Sequence, residues 1–319
     1  AMAESGQRPD WVVGTSIGAI NAALIAGNPP EVRLARVRAF WDRMSGDEGP
    51  NKHFLLPFLA MNGLHNGWRT LHTMAFGLPG FFQPRQSLAF ALDLLMEAET
   101  ASFYDVSPLR ETLLELVDFD YLAESPIRLS VGAVDVESAR LTYFDSKHTR
   151  IGVEHILASG ALPPAFPPVK IDGRLYWDGG VYSNTPLEWI LHDQPREHSL
   201  CLFATLWPSA DASPCSLSDV LRRAKEIQYA SRAEALIEME QEMHRLRHAV
   251  NLLSRELATY APESPLRALF NLSCGSVFHV VLLEVPRLDG EDQSKDIEFG
   301  AERVRERWSA WRRCSSPRC

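Results

Sequence analysis

The chain has 319 residues, of which 45% are hydrophobic and 23% charged, an ordinary globular composition at about twice the length of a typical ~150-residue domain. This excludes a small staple-dependent scaffold, a collagenous chain and global disorder, and leaves one large α/β domain or two smaller ones. With 32 Lys plus Arg against 41 Asp plus Glu the formal net charge is −9, which repels phosphate backbones and argues against a nucleic-acid partner.

In chain order, residues 1–5 read as the last turn of a helix closed by Gly6, with Pro9 just beyond, so a segment upstream of the sequence is expected. Trp11-Val12-Val13 is a short apolar strand ending at Gly14, and residues 17–26 form an Ala- and Ile-rich helix stopped by Gly27-Asn28-Pro29-Pro30. The uncharged stretch 11–26 is too short, and too interrupted by Gly14, Ser16, Gly18 and Asn21, to span a bilayer. No basic and apolar leader opens the sequence, so the expected place is the cytoplasm or the periphery of a membrane. A second helix is predicted over 31–44. Residues 54–82 are apolar but broken by Gly and Pro, and read either as a lipid-facing flap or as loops packed on the core.

A loop and helix are predicted over 103–116. A strand over 127–134 is followed by a hairpin partner at 141–144 after a turn near Glu137-Ser138, and then by a helix over 151–159. The Pro-dense segment 162–169 cannot be helical, because proline removes donors and fixes φ. Leu175-Tyr176-Trp177 is a strand leading into Asp178-Gly179-Gly180, and the uncharged run 200–206 has the character of a buried parallel strand. Strands separated by helices argue for a layered α/β domain. Polar residues 209–218 mark a boundary, so residues 1–208 form the expected catalytic domain and 209–319 a mainly helical extension. In that extension a long charged helix runs to about Tyr260, with Leu236, Met239, Met243, Leu246, Val250, Leu253 and Leu257 as a heptad-like seam. The seam is expected to pack on the protein's own core, with a homo-oligomer through residues 218–260 as the other reading. A strand over 277–285, which could join the core sheet, a helix over 297–311 and a frayed tail over 312–319 complete the chain.

The five cysteines, Cys201, Cys215, Cys274, Cys314 and Cys319, are odd in number, widely spaced and without a CxxC pair. Neither a disulfide framework nor a zinc site is signalled. Chemistry points elsewhere. Gly14-Thr15-Ser16-Ile17-Gly18 fits G-x-S-x-G between a strand and a helix, the context in which that pattern presents a nucleophile. A serine on such a strained turn needs small residues two positions to either side, and the helix behind it adds positive potential and the Ile17 N–H as an oxyanion donor. The alternative is a glycine-rich core turn with a structural serine. A serine needs a base. His192, His198, His244, His248 and His279 follow in the chain order of a triad, but none lies in a turn-rich segment, and each reads as solvated or structural. Asp178 is the better partner. It closes an aromatic strand, the two glycines leave space beside it, and burial would raise its pKa toward that of a useful base. On its own, Asp-Gly-Gly is also a common turn.

Gly14-Thr15-Ser16-Ile17-Gly18 with Ala19-Ile20-Asn21-Ala22, then Ala158-Ser159-Gly160-Ala161-Leu162-Pro163, Phe166-Pro167-Pro168 and Asp178-Gly179-Gly180 with Ser183-Asn184-Thr185-Pro186-Leu187, together resemble the patatin-like phospholipases. The resemblance spans residues 11–206, and the remainder, including Gln293-Ser294-Lys295-Asp296, resembles the helical extension of one bacterial branch of that family. It implies a three-layer α/β/α sandwich with a mostly parallel sheet. It also implies a Ser16–Asp178 dyad that hydrolyses acyl esters of phospholipids or other lipids, at a membrane surface in some members, without metal or organic cofactor. The family's glycine-rich oxyanion loop, upstream of the nucleophile, has no counterpart before Gly14 and is expected in the segment preceding the sequence. Two other readings stay open: an acyltransferase of related fold, whose usual histidine before the serine is here Thr15, and an impaired lipid-binding scaffold.

Overall fold

The structure, a computed structural model, describes residues 6–45, 77–85, 97–183, 186–260, 264, 270–288, 291 and 300–314. Contacts group the chain into two units, Ala1–Asn184 with Pro286–Cys319, and Thr185–Val285. The 208/209 boundary expected from composition lies within the second.

The first unit runs β1 (Trp11–Thr15), α1 (Ile17–Ala26), α2 (Pro30–Ser45), β2 (Gln83–Pro84), β3 (Tyr104–Asp105), α3 (Ser107–Leu116), α4 (Phe119–Ala123), β4 (Arg128–Asp135), β5 (Leu141–Asp145), α5 (Val153–Ser159), β6 (Val169–Ile171) and β7 (Arg174–Asp178), followed by a 3-10 turn at Gly179–Val181. The second begins with α6 (Leu187–Leu191), β8 (Ser199–Thr205), α7 (Leu217–Tyr260) and β9 (Phe278–Glu284); α8 (Ala301–Cys314) belongs again to the first.

β4 is the centre of a five-stranded sheet. β1 lies parallel to it from Trp11 opposite Arg128 to Thr15 opposite Gly132. β5 lies antiparallel from Ser130 opposite Asp145 to Val134 opposite Leu141. β7 is antiparallel from Ala133 opposite Asp178 to Asp135 opposite Tyr176. Each residue of β4 has two edges and β5 occupies one of them, so β1 and β7 share the other. They meet end to end between Gly132 and Ala133, and this junction brings Thr15-Ser16 up to Asp178. β6 pairs antiparallel with β7. The sheet is therefore mixed, against the mostly parallel sheet expected: the short reversals at 136–140 and 172–173 have no room for a crossover helix and so force antiparallel pairing.

The core fills around α1, whose Ala19, Ile20, Ala22, Ala23, Leu24 and Ala26 are buried; its alanines let the helix lie close to the strands. Ile127, Leu129 and Val131 come from the β4 segment, Phe40 and Met44 from α2, Leu109 and Leu113 from α3, and Ile156 from α5. Of the apolar stretch 54–82, residues 54–76 lie outside the described residues. At its end Leu78 and Phe81 are buried in this core, and Phe82 sits 5.4 Å from the Phe166 ring, so packing on the core describes this end of the stretch. The Pro-dense segment accepts backbone bonds from Phe103 and Tyr104 through Pro164 O and Ala165 O, at 3.2 and 2.9 Å.

In the second unit β8 and β9 form a parallel pair of their own, apart from the five-stranded sheet. The pairing is parallel as expected, but only half of β8 is inward: Cys201 is buried while Leu200 and Leu202 are exposed. The seam of α7 also departs from expectation. Met239, Met243, Leu246 and Leu253 are exposed. The helix face used within the unit is the neighbouring polar one: Glu240 is 3.5 Å from His192, Arg247 O accepts from Cys274 N at 3.2 Å, and His244 meets the Phe278 ring edge-on at 5.3 Å. That face supplies partners for the irregular segment before β9, which an apolar seam lacks. α8 packs on α2, with Arg38 5.6 Å over the Trp308 ring. Among the described residues no helix is long and apolar enough to cross a membrane.

β1 and β4 are locked at their start by charge. Arg128 stacks 3.7 Å over the Trp11 ring and pairs with buried Asp145 at 2.7 Å, while Ser130 Oγ donates to Asp145 at 2.6 Å and accepts from Trp11 Nε1 at 2.8 Å. Removing Asp145 takes the carboxylate from the largely buried Arg128 guanidinium and the acceptor from the Ser130 hydroxyl, so Asp145→Ala should cost ~3–5 kcal/mol of stability in urea unfolding; a loss below about 1 kcal/mol would show that the network carries little.

Candidate active site

β1 ends at Thr15 and α1 begins at Ile17, so the whole change of direction falls on Ser16, which takes φ 57° and ψ −128°. Such a backbone costs a non-glycine residue of order 1–3 kcal/mol and persists only when its surroundings over-determine it. Gly14 is the first of these constraints. A Cβ there would lie 2.3 Å from the carbonyl carbon and oxygen of Gly18 and 2.6 Å from Ala19 N, so strand and helix touch backbone to backbone. Gly18 differs from expectation, because among the described residues a Cβ at that position meets nothing within 4 Å. Among these residues the steric demand acts on one side of the serine only.

The Ser16 N–H donates to both Ser159 O and Ser159 Oγ, each at 3.1 Å. The Ser16 carbonyl accepts from Ala19 N at 2.9 Å, closing the first turn of α1. The amides of Ile17 and Gly18 belong to that turn and have no acceptor within the helix, where the helix dipole is positive. Asn21 fastens the helix laterally: its Nδ2 donates to Ile17 O at 2.8 Å and its Oδ1 accepts from Trp41 Nε1 at 3.0 Å.

Asp178 is 2% exposed. Its backbone N–H donates to Ala161 O at 3.0 Å, and its carboxylate accepts from Gly180 N at 2.7 Å. Burial pushes its pKa up from 3.8 to about 6, although the Ser16 hydroxyl and the Gly180 amide both pull it down. A Cβ at Gly179 would stand 2.6 Å from Gly132 O and 2.8 Å from Thr15 Cγ2, so only glycine permits the chain leaving Asp178 to press against the junction of β1 and β4. Gly180 serves through its amide.

The structure thus brings together Ser16, Asp178, Gly14, Gly179, Gly180 and the Ile17 amide. The histidines of the sequence analysis have other settings. His192 is beside Glu240, His198 Nδ1 accepts from Val277 N at 3.1 Å, and His244 sits on Phe278. His248 and His279 are exposed. In the first unit His155 Nδ1 accepts from Gly152 N at 2.9 Å, and burial lowers its pKa. Among the described residues no histidine bonds to Ser16 or Asp178, and no group of three or more His, Cys, Asp or Glu could hold a metal ion. The glycine-rich loop expected upstream and Gln293-Ser294-Lys295-Asp296 lie outside the described residues. Ser159 was not among the sequence candidates; its only signal was its place in the Ala158-Ser159-Gly160 segment that carried the family resemblance.

A family model described as patatin-like phospholipase matches residues 1–189, and a second, described as patatin phospholipase, matches residues 227–313. The first covers more than half of the chain, and the chain belongs to the patatin-like phospholipase family. Among solved structures, the crystal structure of VipD from Legionella pneumophila is similar at 14% identity and a TM-score of 0.40, over 98% of this chain and 62% of that one. The chain therefore spans less than two thirds of that relative's length. No curated protein matches it.

Two outcomes follow. Gly14→Ala should lose at least ~3 kcal/mol in urea unfolding, whereas Gly18→Ala should stay within ~1 kcal/mol of wild type; equal losses would contradict the one-sided contact. Asp178 binds its proton more tightly folded (about 6) than at its ordinary 3.8, so the stability it contributes is complete below 3.8 and is lost as pH rises through 6. Asp178→Asn cannot titrate and can still accept from Gly180, so its stability relative to wild type should rise by about 3 kcal/mol across that interval; a constant difference would contradict the buried ionisation.

Proposed function

We propose that the protein is a serine lipid acyl hydrolase of the phospholipase A, lysophospholipase or carboxylester hydrolase type, with Ser16 as nucleophile and Asp178 as base. The observation that carries this reading is Ser16 on a left-handed elbow, facing a buried carboxylate whose pKa burial raises to about 6 and the serine hydroxyl pulls down. A carboxylate of ordinary pKa is too weak a base for a hydroxyl; the raised value improves the driving force while leaving the group ionised at neutral pH. Family membership makes lipid esters the substrate class.

In the mechanism, Asp178 takes the proton as Ser16 Oγ bonds to the ester carbonyl carbon. The Ile17 and Gly18 amides face the oxygen on which charge develops, and donors of this kind are worth ~2.7–4 kcal/mol each. The C–O bond to the leaving alcohol then breaks, that alcohol takes the proton from Asp178, and an acyl-Ser16 remains. Asp178 next deprotonates a water that attacks the acyl carbonyl, the fatty acid leaves, and Ser16 regains its proton.

Ser16→Ala and Asp178→Ala should each abolish ester hydrolysis in a titrimetric assay on phospholipid and monoacyl lipid while the circular dichroism stays native; activity retained in either would refute the dyad. The acidic limb of kcat/KM against pH should fall with a midpoint of about 6, because the base works only when ionised. A limb near 4 would mean that the carboxylate is unperturbed. Transfer to a thiol acceptor outpacing transfer to water would favour the acyltransferase instead.

A further inference from the structure

The C-terminal end of α5 holds backbone bonds to both members of the dyad. Ser16 N–H reaches Ser159 O and Oγ at 3.1 Å each, and two residues later Ala161 O receives the Asp178 N–H at 3.0 Å. Ser159 is fully buried. Its hydroxyl donates to Gly132 O at 2.6 Å, the same carbonyl against which Gly179 is pressed. One hydroxyl therefore touches the end of β1, the last residue of β4 paired with β1, and through that carbonyl the turn that follows Asp178.

We infer that Ser159 is a positioning residue of the reaction: its hydroxyl and carbonyl fix the Ser16 amide in the left-handed elbow, and the Ser159-Gly160-Ala161 bracket sets the spacing between Ser16 and Asp178. The inference rests on the proposed roles of those two residues. Because the Ser16 N–H is spent on Ser159, it is not an oxyanion donor, and that task is left to Ile17 and Gly18. Alanine at 159 takes one of two acceptors from the Ser16 amide and leaves the Gly132 carbonyl without its hydroxyl, so the elbow can relax away from Asp178. A shift of Ser16 relative to Asp178 acts on the chemical step rather than on substrate binding, since Ser159 is fully buried and reaches the Ser16 amide.

The test compares Ser159→Ala with Ser159→Cys, which is close to serine in size but a weaker hydrogen-bond partner, using a short-chain acyl ester and the rate corrected for the folded fraction. kcat should fall about ten-fold or more in both variants with KM unchanged. Amide exchange at Ser16, followed by NMR, should speed up in the same two proteins. A fall in measured rate that disappears on correcting for the folded fraction would make Ser159 merely structural and overturn the inference. So would unchanged Ser16 exchange in either variant. If the wild type shows no hydrolysis that depends on Ser16, the functional reading fails by itself, and the exchange measurement still decides whether Ser159 holds the elbow.

Discussion

One edge of β4 is divided between two strands, and everything at the site depends on where the division falls. β1 ends opposite Gly132 and β7 ends opposite Ala133. A parallel strand and an antiparallel one thus point their C-terminal ends at the same junction, so the residue following β1 and the last residue of β7 come together there. A register slip of a single residue in either ladder would turn Ser16 or Asp178 to the other face. The register is held away from the site, by the Trp11–Arg128–Asp145–Ser130 network at the start of β1, and at the site by backbone contacts of Gly14 and Gly179 that admit no side chain.

The junction concentrates features that oppose folding. Ser16 holds a left-handed backbone, and Asp178 keeps a carboxylate in a position where burial disfavours its charge. Both features suit the proposed chemistry: the elbow sets the serine at the head of a helix, and burial makes the carboxylate a stronger base. The opposing cost is met by the alanine-rich contact of α1, by the Asn21 and Trp41 link to α2, and by the bonds from residues 159 to 161. A site assembled this way trades stability for reactivity.

What could be read from the sequence follows from local rules. The strand, turn and helix around Ser16 are written in Gly14 and in the change from a short apolar run to an Ala- and Ile-rich helical stretch, and β1 and α1 occur where the sequence put them. The hairpin of β4 and β5 was legible from its turn, where Asp135 Oδ1 accepts from Glu137 N and Ser138 N at 3.1 and 2.9 Å. Asp178 was visible only as one of many Asp-Gly-Gly turns until the order of motifs was considered. The antiparallel directions of β6 and β7, the face by which α7 packs and the separate sheet of β8 and β9 are decided by tertiary pairing that apolar runs do not encode. The steric demand expected at Gly18 is not met by any of the described residues. Ser159 was passed over because a buried serine at a helix end carries no chemical signature until its neighbours 143 positions away in the chain are in place.

The central claim is that the Ser16 hydroxyl acts directly on a buried Asp178 carboxylate. The most direct measurement is a carbon-13 NMR titration of the Asp178 carboxyl in the wild type and in Ser16→Ala. The account predicts a midpoint near 6 in the wild type and a higher one in Ser16→Ala, because the serine's hydrogen bond lowers the pKa that burial raises. A wild-type midpoint near the ordinary 3.8, or one that does not move when the Ser16 hydroxyl is removed, would contradict it.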